Sequence, residues 1–124
     1  MGWNLFIDDE REITDVTWAP WQIREKYRNE TWIIARTWQE VERYVEQWGM
    51  PSFISFDHDL GGRHYTGHEI ARMLIDDALD YPRNRMKQFP EDFDFYVHSQ
   101  NPVGKENIEG LMNNYLKHKD KFTK

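Results

Sequence analysis

The sequence predicts an α/β fold, a mainly parallel sheet covered by helices on both faces, on three observations. Four short apolar runs lie at residues 3–7, 32–37, 53–56 and 93–98, each bounded by acidic or turn-forming residues as buried strands are. Helix-like or irregular stretches separate these runs, and strands that alternate with helices are joined by parallel crossovers. With 124 residues the chain has the length of one ordinary domain, so residues 1–124 are read as a single unit.

The first run is followed by a segment from Glu10 to Glu30 that carries Trp18, Pro20, Trp21, Ile23 and Tyr27. Pro20 forbids a helix running through it, so this crossover is expected to begin irregularly and become helical afterwards. Beyond the second run, Thr37 and Glu40 make a capping box. Val41, Tyr44, Val45 and Trp48 then recur at helical spacing until Gly49 and Pro51 close the element. Thr66 and Glu69 repeat that device ahead of Ile70, Met73, Leu74 and Leu79, which places Gly67 in the first turn. Pro82, Pro90 and several charges make residues 81–92 a surface loop. Asn101 and Pro102 suit the cap and first position of a last helix, with an apolar face of Val103, Ile108, Leu111, Met112, Tyr115 and Leu116.

Composition narrows the chemistry. The absence of cysteine excludes disulfides, thiolate zinc sites and a cysteine nucleophile, so any metal must sit on oxygen or imidazole. An aromatic share of 15% predicts a ring-rich core. No apolar run is long enough to span a bilayer and no basic region precedes the first strand, so a cytoplasmic protein with no membrane partner is expected. The formal net charge of −6 argues against an extended nucleic-acid groove, while leaving room for one RNA end or one phosphate beside a metal.

In an open parallel sheet, ligands bind outside the carboxyl ends of the strands. Asp8 and Asp9 follow the first strand, Asp57, His58 and Asp59 the third, and His98, Ser99 and Asn101 the fourth. Any one of these aspartates, taken alone, reads as a cap for its strand end and the turn or helix that follows. Together they read as a site, because clustered carboxylates repel unless a cation or a shared proton compensates, and an all-oxygen set favours magnesium over zinc. His64 and His68 do not make a zinc-protease pair, since no glutamate follows the first histidine and the cap at Thr66 leaves His64 outside the helix. Gly61 and Gly62 read as a tight turn, and Arg11, Arg63 and Lys105 as solvated cations, with the two arginines nearest to meet a phosphate. Trp18 and Trp21 read as core residues, or as pocket walls if their loop folds over the sheet.

The segment Leu5-Phe6-Ile7-Asp8-Asp9-Glu10 resembles the first-strand acidic motif of response-regulator receiver domains, and Pro51 through Asp57 resembles their third strand. The resemblance implies a three-layer, flavodoxin-like fold with four strands in the order 2-1-3-4. It also implies magnesium at Asp8, Asp9 and Asp57, with Asp57 as the phosphoacceptor equivalent and Ser99 as the hydroxyl that contacts a phosphoryl group. Receivers carry a lysine on a fifth strand; no lysine here corresponds to it. A narrower resemblance rests on Ile7-Asp8-Asp9-Glu10-Arg11, Phe56-Asp57-His58-Asp59-Leu60-Gly61, Thr66-Gly67 and Val97-His98-Ser99-Gln100-Asn101-Pro102-Val103-Gly104. These segments resemble the cyclic-phosphate processing receiver family, often phage-encoded, which would place the protein in a host cytoplasm.

That resemblance implies a magnesium- or manganese-dependent phosphoesterase acting on cyclic phosphates, notably the 2′,3′-cyclic ends met in RNA repair. Asp8, Asp9, Asp57 and Asp59 are then the candidate metal ligands, with Asp59 acting directly, through water, or only as a turn cap. Asp57, His58, His98 and Ser99 are the candidate catalytic residues: water or Asp57 attacks phosphorus, and His58 or His98 protonates the departing ribose oxygen. Two alternatives stay open. One is a noncatalytic receiver-like module that binds a phosphate-containing ligand or a host protein; the other is a phosphoaccepting switch.

Overall fold

The computed structural model describes the backbone of residues 2–58, 66–80 and 88–122. Four strands, β1 (Asn4–Ile7), β2 (Trp32–Ala35), β3 (Phe53–Phe56) and β4 (Asp94–Val97), form one parallel sheet in the order β2-β1-β3-β4. Helices α1 (Trp21–Asn29), α2 (Trp38–Trp48), α3 (Gly67–Ala78) and α4 (Pro102–Phe122) follow the strands in turn. This is the receiver-like architecture and strand order expected from the sequence. Of the proposed surface loop at 81–92, residues 81–87 lie outside the described residues.

Local chemistry sets the boundaries. After a 3-10 turn at Ile13–Asp15, Pro20 takes the cap position of α1, where its missing N–H costs nothing. The second strand stops at Ala35, two residues short of the apolar run, because residues 36 and 37 serve the next helix. Arg36 N donates to Glu40 Oε1, and Glu40 N donates to Thr37 Oγ1. The reciprocal box at Thr66 and Glu69 starts α3. Asn101 Oδ1 accepts from Gly104 N at 3.0 Å and so caps α4.

Period-two alternation splits the sheet between two cores. Leu5, Ile7, Ile54, Phe56 and Val97 face the larger one, with Val41 and Val45 of α2, Ile70 and Leu74 of α3, and Ile108 and Met112 of α4. Phe6 faces the smaller one, where it packs with Val16, Ala19 and Tyr27 of α1 and the preceding segment, and with Trp32 and Ile34. The rings there meet edge to face: Phe6 with Tyr27 at 5.9 Å and Tyr27 with Trp32 at 5.2 Å. Among the described residues, no helix is long and apolar enough to cross a membrane.

Candidate active site

The strand register builds the site. Ile7 pairs with Phe56, and Phe56 with Val97, so the next residues along the three strands, Asp8, Asp57 and His98, stand side by side. The ladder bonds continue one step past the strands, with Asp8 N to Ala35 O at 3.2 Å, Asp57 N to Ile7 O at 2.9 Å and His98 N to Phe56 O at 2.9 Å. Alternation turns all three side chains to the same face as Phe6 and Ser55. Asp8, Asp57 and His98 are buried, and one donor atom from each lies within 4.8 Å of the other two.

Asp8 is tied on both oxygens. Oδ1 accepts from Glu10 N at 2.9 Å and Arg11 N at 2.8 Å, and Oδ2 accepts from His98 Nε2 at 3.0 Å. Burial by itself would push this carboxyl up, but the His98 bond and the two backbone N–H groups outweigh it and hold it down at about 2. Burial keeps the His98 imidazole below its ordinary value in spite of the Asp8 carboxylate. An ionised Asp8 can only accept, so a neutral His98 carries its proton on Nε2 and offers Nδ1 as an acceptor. Ser55 Oγ lies 2.7 Å from Nδ1 and 2.6 Å from the Tyr27 hydroxyl. Burial pushes the Tyr27 phenol up, which keeps it protonated.

The bond directions follow: Tyr27 O–H donates to Ser55 Oγ, Ser55 O–H to His98 Nδ1, and His98 Nε2–H to Asp8. The imidazole also stacks on Phe6 at 4.4 Å with an interplanar angle of 3°. Trp18 Nε1 donates to the His98 carbonyl at 2.9 Å. Arg36 NH1 donates to the backbone oxygens of Asp8 and Arg11, at 3.1 and 2.7 Å, which pins the loop after β1. No described buried side-chain N or O lacks a partner.

Above this floor an open cleft of about 590 Å³ is lined by Asp8, Asp57, Asp9, Arg11, Ser99 and Asn101, with Glu10, Asp15 and Gln100 at its margins. Ser99 Oγ accepts from Asn101 N at 3.1 Å, so the hydroxyl that borders the cleft also shapes the turn into α4. Burial, then the Asp8 charge, raise the Asp9 carboxyl above its ordinary value. Two glycines allow the close packing around the site. A Cβ on Gly67 would lie 1.8 Å from the Asp57 carbonyl oxygen, and one on Gly104 would lie 2.2 Å from His58 Cγ. The His58 ring therefore rests on the first turn of α4.

The sequence-derived residues thus divide. Asp8, Asp9, Asp57 and Ser99 meet at the cleft. His98 lies beneath it with both ring nitrogens engaged, and His58 stands beside it against Gly104. Asp59, Arg63 and the Gly61-Gly62 turn lie outside the described residues, and Lys105 reaches over the Tyr96 ring at 5.3 Å. Tyr27 and Ser55 belong to no motif, although a serine inside the apolar run Phe53-Ile54-Ser55-Phe56 was the available signal. As donors for a divalent cation, the two buried carboxylates of Asp8 and Asp57 fit: they are hard, anionic and adjacent. His98 fits as the residue that orients Asp8, since its Nε2 carries the proton given to that carboxylate.

Comparison of the chain with curated proteins and with solved structures gives no significant match. One family model, described as the cyclic-phosphate processing receiver domain, matches residues 3–114. That span holds all four strands and every residue lining the cleft, and the chain belongs to the cyclic-phosphate processing receiver domain family.

Proposed function

We propose that this domain is a divalent-cation-dependent phosphoesterase that opens a cyclic phosphate, with the 2′,3′-cyclic phosphate of an RNA end as its preferred substrate. The observation that carries the reading is the pairing of two buried carboxylates, Asp8 and Asp57, at the floor of an open cleft on the carboxyl edge of the sheet. Asp8 and Asp57 would hold Mg2+ or Mn2+, with Asp9 and Asp59 as further candidates. The ion supplies Lewis acidity toward a nonbridging phosphoryl oxygen and offsets the carboxylate charge.

The chain's own residues then divide the work. Ser99 and Asn101, which line the cleft at the amino end of α4 where the helix dipole is positive, would face the phosphoryl oxygens. A water oxygen bonds to phosphorus while one phosphorus–ribose oxygen bond breaks. The water loses a proton and the ribose oxygen gains one, leaving a phosphomonoester. Asp9, where it does not hold the ion, and His58 are the groups for that proton traffic, with Asp57 as the alternative nucleophile. His98 holds Asp8 in place. The net charge of −6 suits a single phosphate at an RNA end better than a polynucleotide track.

The test is incubation of the purified protein with RNA ending in a 2′,3′-cyclic phosphate and, separately, with a small cyclic nucleotide, each with Mg2+ or Mn2+. Opening of the RNA end is expected, abolished by chelation and reduced at least about 100-fold by Asp57→Asn. If neither substrate opens with either metal and Asp57→Asn matches wild type throughout, the hydrolase reading is abandoned. The burial of His98 away from the cleft favours one other reading, a noncatalytic module that engages a ligand or a host protein. Its binding would survive Asp8→Asn and Asp57→Asn.

A further inference from the structure

Asp8 and Asp57 need a cation, and Arg11 already supplies one. Its NH1 lies 3.4 Å from Asp8 Oδ2 and 3.5 Å from Asp57 Oδ1. Its NH2 lies 3.4 Å from Gln100 Oε1, and its guanidinium carbon lies 5.1 Å from the centre of the Trp18 ring. Among the described residues, Arg11 is the side chain whose ion pairs reach both carboxylates. Charge-assisted N–H···O bonds normally close to about 2.7–2.9 Å. Arg11 is shared among several acceptors and closes fully on none.

Counting acceptor positions shows what can change. An ionised carboxylate offers about four. At Asp8, three are held by short bonds from Glu10 N, Arg11 N and His98 Nε2. The fourth is the long contact to Arg11 NH1. A divalent cation that binds Asp8 must therefore take the place of the guanidinium, and Arg11 cannot shed its charge to stay beside it. The Arg11 backbone is anchored, because its carbonyl accepts from Arg36 NH1 at 2.7 Å. Only the side chain is able to move, and it is 32% exposed on the cleft wall. Trp18, held by its bond to the His98 carbonyl, is a fixed ring against which it rests.

We propose that Arg11 is a displaceable counter-cation that becomes the phosphate-binding residue of the site. A divalent cation takes its position between Asp8 and Asp57, and the released guanidinium, kept at the rim by Trp18 and Gln100, pairs with the phosphoryl oxygens of the ligand. The planar fork suits two such oxygens at once. The exchange also explains how an anion enters a cleft rich in carboxylates, since one positive charge moves from the floor to the mouth while the divalent cation brings two more to the floor. This role rests on the metal site of the proposed function, and its test reads binding without turnover.

Calorimetric titrations of wild type, Arg11→Ala and Arg11→Lys decide it, first with Mg2+ alone and then with inorganic phosphate at saturating Mg2+. Arg11→Ala is expected to bind Mg2+ roughly tenfold more tightly, because a competing charge is gone, and phosphate at least roughly tenfold more weakly. Arg11→Lys is expected to keep the wild-type Mg2+ affinity and still lose phosphate affinity, because the charge remains and the fork does not. Opposite shifts in Arg11→Ala are not the result of a merely structural role, which would weaken both or neither. Either of those outcomes, or an absence of Mg2+ binding in both wild type and Arg11→Ala, overturns the proposal. Opposite shifts in a protein that opens no cyclic phosphate would leave Arg11's role standing and remove only the hydrolase reading.

Discussion

His98 Nε2 donates to Asp8 Oδ2 across 3.0 Å, and both side chains are closed off from solvent. The bond joins the last residue of a buried hydrogen-bonded chain to the first residue of the cleft. A carboxylate aimed by an imidazole, itself aimed by a serine and a tyrosine, has little freedom to turn away from a ligand.

Ser55 is the middle of that chain, so Ser55→Ala should cost more than its volume implies. It leaves His98 Nδ1 and the Tyr27 hydroxyl unpaired in an apolar core, which destabilises by about 1–3 kcal/mol. Tyr27→Phe removes only the terminal donor and should cost about 1 kcal/mol. Urea unfolding of the two single variants and the double variant measures this. Strict additivity in the double variant would show that the chain is not acting as a unit.

Acid should destabilise the protein in two stages. Both His98 and Asp8 titrate below their ordinary values when folded, so each contributes stability that is complete above its unfolded value and lost on acidification. The His98 stage begins as pH falls through 6.5, where the unfolded chain takes up a proton that the buried ring refuses. The Asp8 stage runs from 3.8 down to about 2. The latter amounts to something on the order of 2 kcal/mol. Unfolding free energies measured from pH 7 downward should show both declines, and Asp8→Asn should lack the lower one.

The glycines should respond to alanine in a fixed order. Gly110 has open space around its missing Cβ and sits within α4, so Gly110→Ala should stabilise by about 0.5–1 kcal/mol. Gly104→Ala must push the His58 ring aside. Gly67→Ala meets the Asp57 backbone at 1.8 Å, which cannot yield without moving the site. Scanning calorimetry should rank melting temperatures as Gly110→Ala, wild type, Gly104→Ala, Gly67→Ala. A Gly67→Ala protein that melts with the wild type would mean that α3 is free to shift away from the loop after β3.

Much of the fold is legible because local rules and global packing agree. The Thr37 cap, where Glu40 N donates to Thr37 Oγ1 but the Glu40 carboxylate takes Arg36 N and so leaves the expected box unreciprocated, the full box at Thr66 and the Asn101-Pro102 start of α4 each specify a helix from nearby residues alone. The segment from Glu10 to Glu30 is less so, because its 3-10 turn and the seating of Trp18 depend on the strand ends beneath them. The acidic residues that follow β1 and β3 are visible for a similar reason: a run of apolar residues ending in aspartate marks a strand end whatever the partner.

The sequence by itself determined the parallel α/β architecture, the starts of α2, α3 and α4 and the presence of carboxylates at the strand ends, since periodicity and capping act over a few residues. Only the tertiary structure decided which of those groups meet. The register that puts Asp8, Asp57 and His98 in one row is a pairing between residues up to 90 positions apart. The same pairing turns His98 inward toward Ser55 and Tyr27 and brings Arg11 between two carboxylates. Contacts of that kind are set by how the sheet and its crossovers pack, and no local pattern encodes them.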